Sequence, residues 1–391
     1  MALLDGLSRL GSGDDQVVKL LKGRAVGLLA HPASVDRELR HAQALLPRAG
    51  AKLSALFGPE HGYSGQAQYM VGVESRAGDV PVYSLYGDTF EALSPQKEWL
   101  TPLDAVVVDL QDVGSRYYTY VWSMALMLRA CAAAGVQCIV LDRPNPLGGV
   151  ELEGAPQRPG YRSFVGLYDV PVRHGLTIGE IAAMVVELER IDPQLLTVVR
   201  MQGWRRELSA RECELPWVLP SPNMPTPETA LVYPGGCLLE GTNLSEGRGT
   251  TRPFEIWGAP FVDGAALARS ISGRGARLRP LTFEPTFHKF ARESCGGVQV
   301  HVHDAASFRP YALYLRMIAH VAERAPAHFC FRSEPYEYVS DRPAIDLLTG
   351  GPEFRELVAG GGPAAELADY LRDDERSLGA FREQRKRWLL Y

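Results

Sequence analysis

Five short apolar runs, each followed at once by a polar loop stiffened with glycine or proline, organise the first half of the chain. They occupy residues 24–30, 52–57, 81–85, 104–110 and 136–141, and successive starts lie 23 to 32 residues apart. That interval suits a strand, a connecting helix and a return to the sheet. The runs DAVVVDL (104–110) and VQCIVL (136–141) are nearly continuous Val, Ile and Leu, as strands covered on both faces require. Helices are predicted over 36–49, stopping before Gly50, and over 120–134, where Val121, Met124, Leu128 and Cys131 recur at helical spacing before Gly135. Thr177 and Glu180 make a capping-box pair ahead of a helix over 181–190. Alternating strand and helix predict an α/β fold with a mostly parallel sheet.

In such a sheet, ligands bind beyond the carboxyl ends of the strands. His31-Pro32, GPEHG (58–62), Tyr86-Gly87-Asp88, DLQDVGSR (109–116) and DRPNP (142–146) stand at those ends and are expected to meet in one crevice. The sequence contains no GxGxxG and no Walker A pattern, so a dinucleotide fingerprint and a phosphate loop are missing. HExxH and GxSxG are also absent, which argues against zincin and α/β-hydrolase chemistry.

Five prolines within 216–227 predict an extended segment. A loop dense in glycine and hydrogen-bonding groups follows at 241–250, with Glu240 expected at a strand end just before it. Beyond about residue 258 the pattern changes to helices at 264–272, 311–324, 353–359, 364–372 and 374–390, with strands at 278–283 and 297–303. The expected organisation is a domain over 1–258 that carries the chemistry. A smaller C-terminal α/β domain over 259–391 would wall the crevice.

Charge and cysteine usage narrow the class. The formal net charge is −5, and the only basic cluster, 385–387, suits a solvated last helical turn. Nucleic-acid binding is therefore not expected. No apolar run approaches the roughly 18 residues of a membrane helix. Six cysteines without a CxxC pair, and an N-terminus without a leader pattern, lead us to expect a reduced, cytoplasmic protein. Nothing sets the oligomeric state.

The candidate site residues are those whose chemistry suits a polar ligand. Glu60 in GPEHG is the candidate general acid, with His61 beside it. Its bland alternative is a helix cap. Asp109 and Asp112 flank Gln111 and suit sugar hydroxyls, a metal, or an internal pair between Asp112 and Arg116. Tyr118 offers a stacking face, with core packing as the alternative. Asn145 and Asn223, each caged by prolines, donate and accept, as do Asn243 and His174. Arg116 and Arg248 are candidates for a ligand carboxylate. Glu240 is a candidate second carboxylate. His31, His61, Asp109, Asp142 and His174 form an alternative metal set without supporting spacing, and His301-Val302-His303 reads as a solvent-facing strand.

The motifs GPEHG, DLQDVGSRYYTY, DRPNPLGG, SFVGLYDVPVRHGLTIGE, PSPNMPT and EGTNLSEGRGTTRPFE, in this order, resemble the bacterial exo-β-N-acetylmuramidases of the NamZ type. The resemblance runs from about residue 31 to 260 and more weakly to the C-terminus. It implies a Rossmann-like domain joined to a C-terminal α/β domain, with the site in the cleft between them. It implies release of single N-acetylmuramic acid residues from the non-reducing end of peptidoglycan fragments, serving cell-wall turnover and recycling. It places the catalytic glutamate at Glu60. Family members are often exported, whereas this chain shows no leader. No cofactor and no metal are expected. Glycoside hydrolysis needs a proton for the leaving oxygen and a second carboxylate or substrate assistance, for which Glu240, Asp109 and Asp112 are the candidates. The lactyl carboxylate of muramic acid is expected on Arg116 or Arg248. A metal-dependent hydrolase or amidase acting on cell-wall-derived small molecules, and a non-catalytic glycan-binding module, are the alternatives.

Overall fold

The computed structural model describes residues 3–64, 75–77, 79–362 and 364–391. Strands β1 (Ala25–Ala30), β2 (Lys52–Gly58), β3 (Ser75–Ala77), β4 (Val80–Ser84), β5 (Ala105–Asp109), β6 (Gln137–Leu141) and β7 (Leu196–Val199) form one sheet in the order β3-β4-β2-β1-β5-β6-β7. Six of these strands are parallel, and β3 runs antiparallel at the edge. The five strands read from sequence are all present, each within a residue or two of the expected bounds.

Alternation decides which face each side chain takes. Val106 and Val108 of β5, with Cys138 and Val140 of β6, join the core on one side. Ala105, Val107, Ile139 and Leu141 join the core on the other. The first side is covered by helices Tyr120–Ala134 and Ile178–Glu189, the second by Gly6–Gly11, Asp15–Leu21 and Ala42–Arg48. Helix Tyr120–Ala134 matches its expected bounds and ends at Gly135, φ +71°. Both hydrogen bonds of the Thr177–Glu180 capping box form, so that helix starts earlier than expected, at Ile178. The helix expected over 36–49 starts only at Ala42. Asp36 instead accepts from the backbone N–H groups of Glu38 and Arg40 and from the Arg40 side chain, which closes a turn ahead of the helix.

The C-terminal half adds a three-stranded antiparallel sheet, β8 (Ile256–Ala259), β9 (Ala276–Phe283) and β10 (Cys295–Val302), in the order β8-β10-β9. β8 spans the expected boundary at residue 258. Helix Pro310–Arg324 packs beneath it, and Trp257, Tyr314 and Leu348 continue the same apolar core that covers β5 and β6. Three departures from the sequence reading stand out. Pro227–Gly236, between the extended segment and the glycine-rich loop, is a helix that starts with its proline at the first helical position and has Thr226 as its cap. Glu240 lies in the 3₁₀ turn Cys237–Gly241 rather than at a strand end. The last two predicted helices are one, Ala364–Gln384.

Candidate active site

The order β4-β2-β1-β5-β6-β7 reverses between β1 and β5, the topological switch point of a doubly wound sheet. Protein fills that point here. His31, after β1, is fully buried; its Nδ1 lies 3.1 Å from the Pro220 carbonyl, and its Nε2 accepts from the Gln111 backbone N–H at 2.9 Å. Burial pushes the imidazole down to about 3, so the ring stays neutral. The opening lies one step away. Loops after β2, β4 and β5, with segments of the C-terminal half, enclose a cleft of about 450 Å3 and a recess of about 80 Å3 behind it. Glu60, His61, Glu240, Arg248, Tyr336 and Glu337 line both.

A tight loop places Glu60. A Cβ on Gly58 would lie 2.3 Å from the Tyr63 backbone nitrogen, so only glycine permits the approach. Glu60 Oε2 accepts a hydrogen bond from Thr119 Oγ1 at 2.5 Å, which ties the β2 loop to the start of helix Tyr120–Ala134. The Tyr120 hydroxyl donates to the Pro220 carbonyl at 2.7 Å and holds the proline-rich segment against the same floor.

Across the cleft, Arg248 stands between Gly247 and Gly249, at φ +76° and +82°. Its guanidinium bridges Glu240 at 2.7 Å and Glu246 at 3.1 Å and lies 5.3 Å from the Phe254 ring centroid. Glu240 also accepts from the Tyr336 hydroxyl at 2.8 Å. Glu246 is fully buried and meets two more side chains, His288 Nδ1 at 2.9 Å and Lys289 Nζ at 3.0 Å. Burial pushes the Glu246 carboxyl up, but Lys289, His288 and Arg248 outweigh it and hold the group below the ordinary carboxylate range.

Glu337 is the acid that sequence reasoning missed. It sits in a two-residue hairpin in which Tyr336 and Val339 exchange backbone hydrogen bonds at 2.9 and 3.0 Å. Both central residues take positive φ, +46° at Glu337 and +67° at Tyr338, a geometry usually given to Asn-Gly. Each such side-chain-bearing residue costs about 1–2 kcal/mol. Strain of this kind gathers around the opening: among the described residues His61, Phe254, His288, Glu337 and Tyr338 are half of the ten non-glycine residues at positive φ, and all five line the cleft or recess. Glu337 Oε2 is shielded from solvent and has no hydrogen-bond partner among the described residues. Burial first, then the charges of Glu60 and Glu240, push its carboxyl well above the ordinary range despite Arg332 and Arg248. Sequence offered no signal here, because YEYV carries neither Gly nor Asn to mark a turn.

The structure brings Glu60, His61, Tyr118, Asn223, Glu240 and Arg248 to the opening. The other residues expected there lie elsewhere. Asp109 is buried in a two-bond pair with Arg143, at 2.6 and 2.8 Å. Gln111 donates to the carbonyls of Asp112 and Pro144. Asp112 accepts from the Gly114 N–H and faces buried His174 at 3.3 Å, so the internal pair expected with Arg116 does not form. Arg116 is fully buried and donates to the carbonyls of Ala155, Val170 and Leu348. Asn145 spans Leu176 and Leu147, and Asn243 holds the backbone of His328 and Cys330. Asp142, the β6 loop acid, accepts from Thr177, Gly179 and Tyr391. The crevice expected to gather five loops gathers three, because the loops after β1 and β6 spend their polar groups on partners packed around the parallel sheet, among them Pro220, Asp109, Leu176 and Thr177. Among the described residues no three His, Cys, Asp or Glu side chains are grouped to hold a metal ion. No helix among them is long and apolar enough to cross a membrane.

Comparison with known proteins agrees with this architecture. Residues 26–228 match the family model "Exo-beta-N-acetylmuramidase NamZ, N-terminal" and residues 231–391 its C-terminal counterpart. The chain is 41% identical over 381 residues to the peptidoglycan beta-N-acetylmuramidase NamZ of Bacillus subtilis (strain 168), covering 95% of this chain and 88% of that protein. Crystal structures of two DUF1343 family proteins from Bacteroides fragilis superpose with TM-scores of 0.85 and 0.76, at 31% and 28% identity, over 100% of this chain and 99% of each of theirs. With both family models together spanning nearly the whole chain, this protein belongs to the exo-β-N-acetylmuramidase NamZ family.

Proposed function

We propose that this protein is a glycoside hydrolase that releases N-acetylmuramic acid from the non-reducing end of peptidoglycan fragments. The observation that carries the reading is the convergence of Glu60, from the parallel sheet, with Glu240 and Glu337, from the C-terminal half, around one cleft and a much smaller recess that shares its lining. Such a shape suits a chain end rather than the middle of a strand. Glu60 is our choice for the acid that protonates the leaving oxygen, and the Thr119 hydroxyl fixes its carboxyl. Asn223 and Tyr118 in the recess suit the acetamido group.

The lactyl carboxylate needs a cation. Arg248 already holds two carboxylates, and Arg116 is away from the cleft. Arg332 lines the cleft, and its ion pair is a loose one, 3.7 Å to the exposed Glu334. We therefore assign lactyl recognition to Arg332. A carboxylate lost from that contact costs the ligand a charge-assisted hydrogen bond.

The test compares p-nitrophenyl β-N-acetylmuramide with the corresponding β-N-acetylglucosaminide, in the presence and absence of a chelator. We expect turnover of the muramide alone, unaffected by chelation, abolished for a muramyl disaccharide in Glu60→Gln, and with KM raised about 10–100-fold in Arg332→Ala. Strict dependence on added Zn²⁺ or Mg²⁺ would move the metal-hydrolase reading to the front. Sugar binding without turnover would favour a binding module.

A further inference from the structure

A hydrolysis that breaks a glycosidic bond must also take a proton from water. Glu240 is poorly suited to that task, because both of its oxygens are engaged, by Arg248 and Tyr336. Glu337 differs in three ways. It lines both the cleft and the recess with Glu60. One of its oxygens is shielded and without a hydrogen-bond partner among the described residues. The turn that presents it holds two side-chain-bearing residues at positive φ, a conformation maintained against local preference.

We propose that Glu337 is a second catalytic residue, the base that activates water in the cleft it shares with Glu60. This rests on the glycosidase reading above. In the step, the Glu60 carboxyl gives its proton to the glycosidic oxygen, and the C1–O bond breaks with its electron pair on that oxygen. Water adds to C1 and passes one proton to the Glu337 carboxylate. Sugar and leaving alcohol each gain one half of the water, and exchange with solvent returns both carboxyls to their starting states. With the proton on Glu60, one of the charges that push the Glu337 carboxyl up is gone, which favours the carboxylate form that accepts the proton from water.

Substitution separates the two roles. A nitrophenolate leaves without protonation, so Glu60→Gln is expected to lose far more activity on a muramyl disaccharide than on the p-nitrophenyl muramide. Glu337→Gln is expected to lose about 10²–10⁴-fold in kcat on both substrates. Glu337→Gly relieves the positive φ and is expected to melt at or above the wild-type temperature while inactive, with azide restoring turnover. Should Glu337→Gly fail to fold, Glu337→Gln decides. Glu337 variants that keep a third or more of wild-type kcat while Glu60→Gln is inactive on the disaccharide overturn this role and leave the muramidase reading standing. So does a Glu337→Gln loss confined to the disaccharide. A folded wild-type protein that turns over neither muramide overturns both.

Discussion

Glu246 joins stability to site geometry, and its replacement by glutamine is the sharpest test of the cleft's electrostatics. The carboxylate is fully buried and faces Arg248, His288 and Lys289 within 3.1 Å. Removing one partner of a buried ionic cluster costs about 3–5 kcal/mol, because the cations left behind remain desolvated. Unfolding 391 residues carries an entropy of about 0.8 kcal/mol/K, so that loss corresponds to a fall in Tm of about 4–6 °C. The effect has a signed pH dependence. A carboxyl held below its ordinary value in the folded state contributes stability that is present above about 4.5 and is lost as pH falls below it. The gap between wild type and Glu246→Gln therefore narrows by on the order of 1 kcal/mol, about 1–2 °C, on going from pH 7 to pH 3.5. Calorimetric scans of both proteins at the two pH values measure this directly. A drop below 1 °C at pH 7, or a gap as wide at pH 3.5 as at pH 7, would refute the account of Glu246 as an ionised hub.

Two further outcomes follow from groups outside the cleft. Glu153 is buried, accepts from the Ala312 N–H at 2.9 Å, and is pushed up to about 7, chiefly by burial. Its folded form holds the proton more tightly than the unfolded chain, so its contribution is full below about 4.5 and declines through pH 7, by about 3 kcal/mol. Glu153→Gln should flatten the fall in Tm across that range, and an unchanged slope would discount the group. Arg116→Met should lower Tm by several degrees, because three buried carbonyls lose their donor at about 1–3 kcal/mol each, while the KM of the folded fraction stays unchanged. A raised KM with normal stability would return Arg116 to the substrate.

The sequence by itself determined the sheet and one side of the site. Unbroken apolar runs such as 104–110 have no stable place except between two helical layers, and the glycines of GPEHG admit one tight turn that presents Glu60. Local patterns of this kind survive folding because they are satisfied by near neighbours. Tertiary structure alone decided which polar residues face the cleft and which became joints. Asp109, Asp112, Asn145 and Arg116 have the composition of a binding site, but partners such as Arg143, His174, Leu176 and Leu348 arrive from up to 232 residues away and use their hydrogen-bonding capacity inside the core. Glu337 is the converse. Nothing in YEYV marks it, since its meaning depends on a hairpin held by backbone bonds and on two carboxylates brought beside it by other segments. A buried polar group takes its role from whether the rest of the chain pairs it, and that pairing is fixed only when distant segments pack.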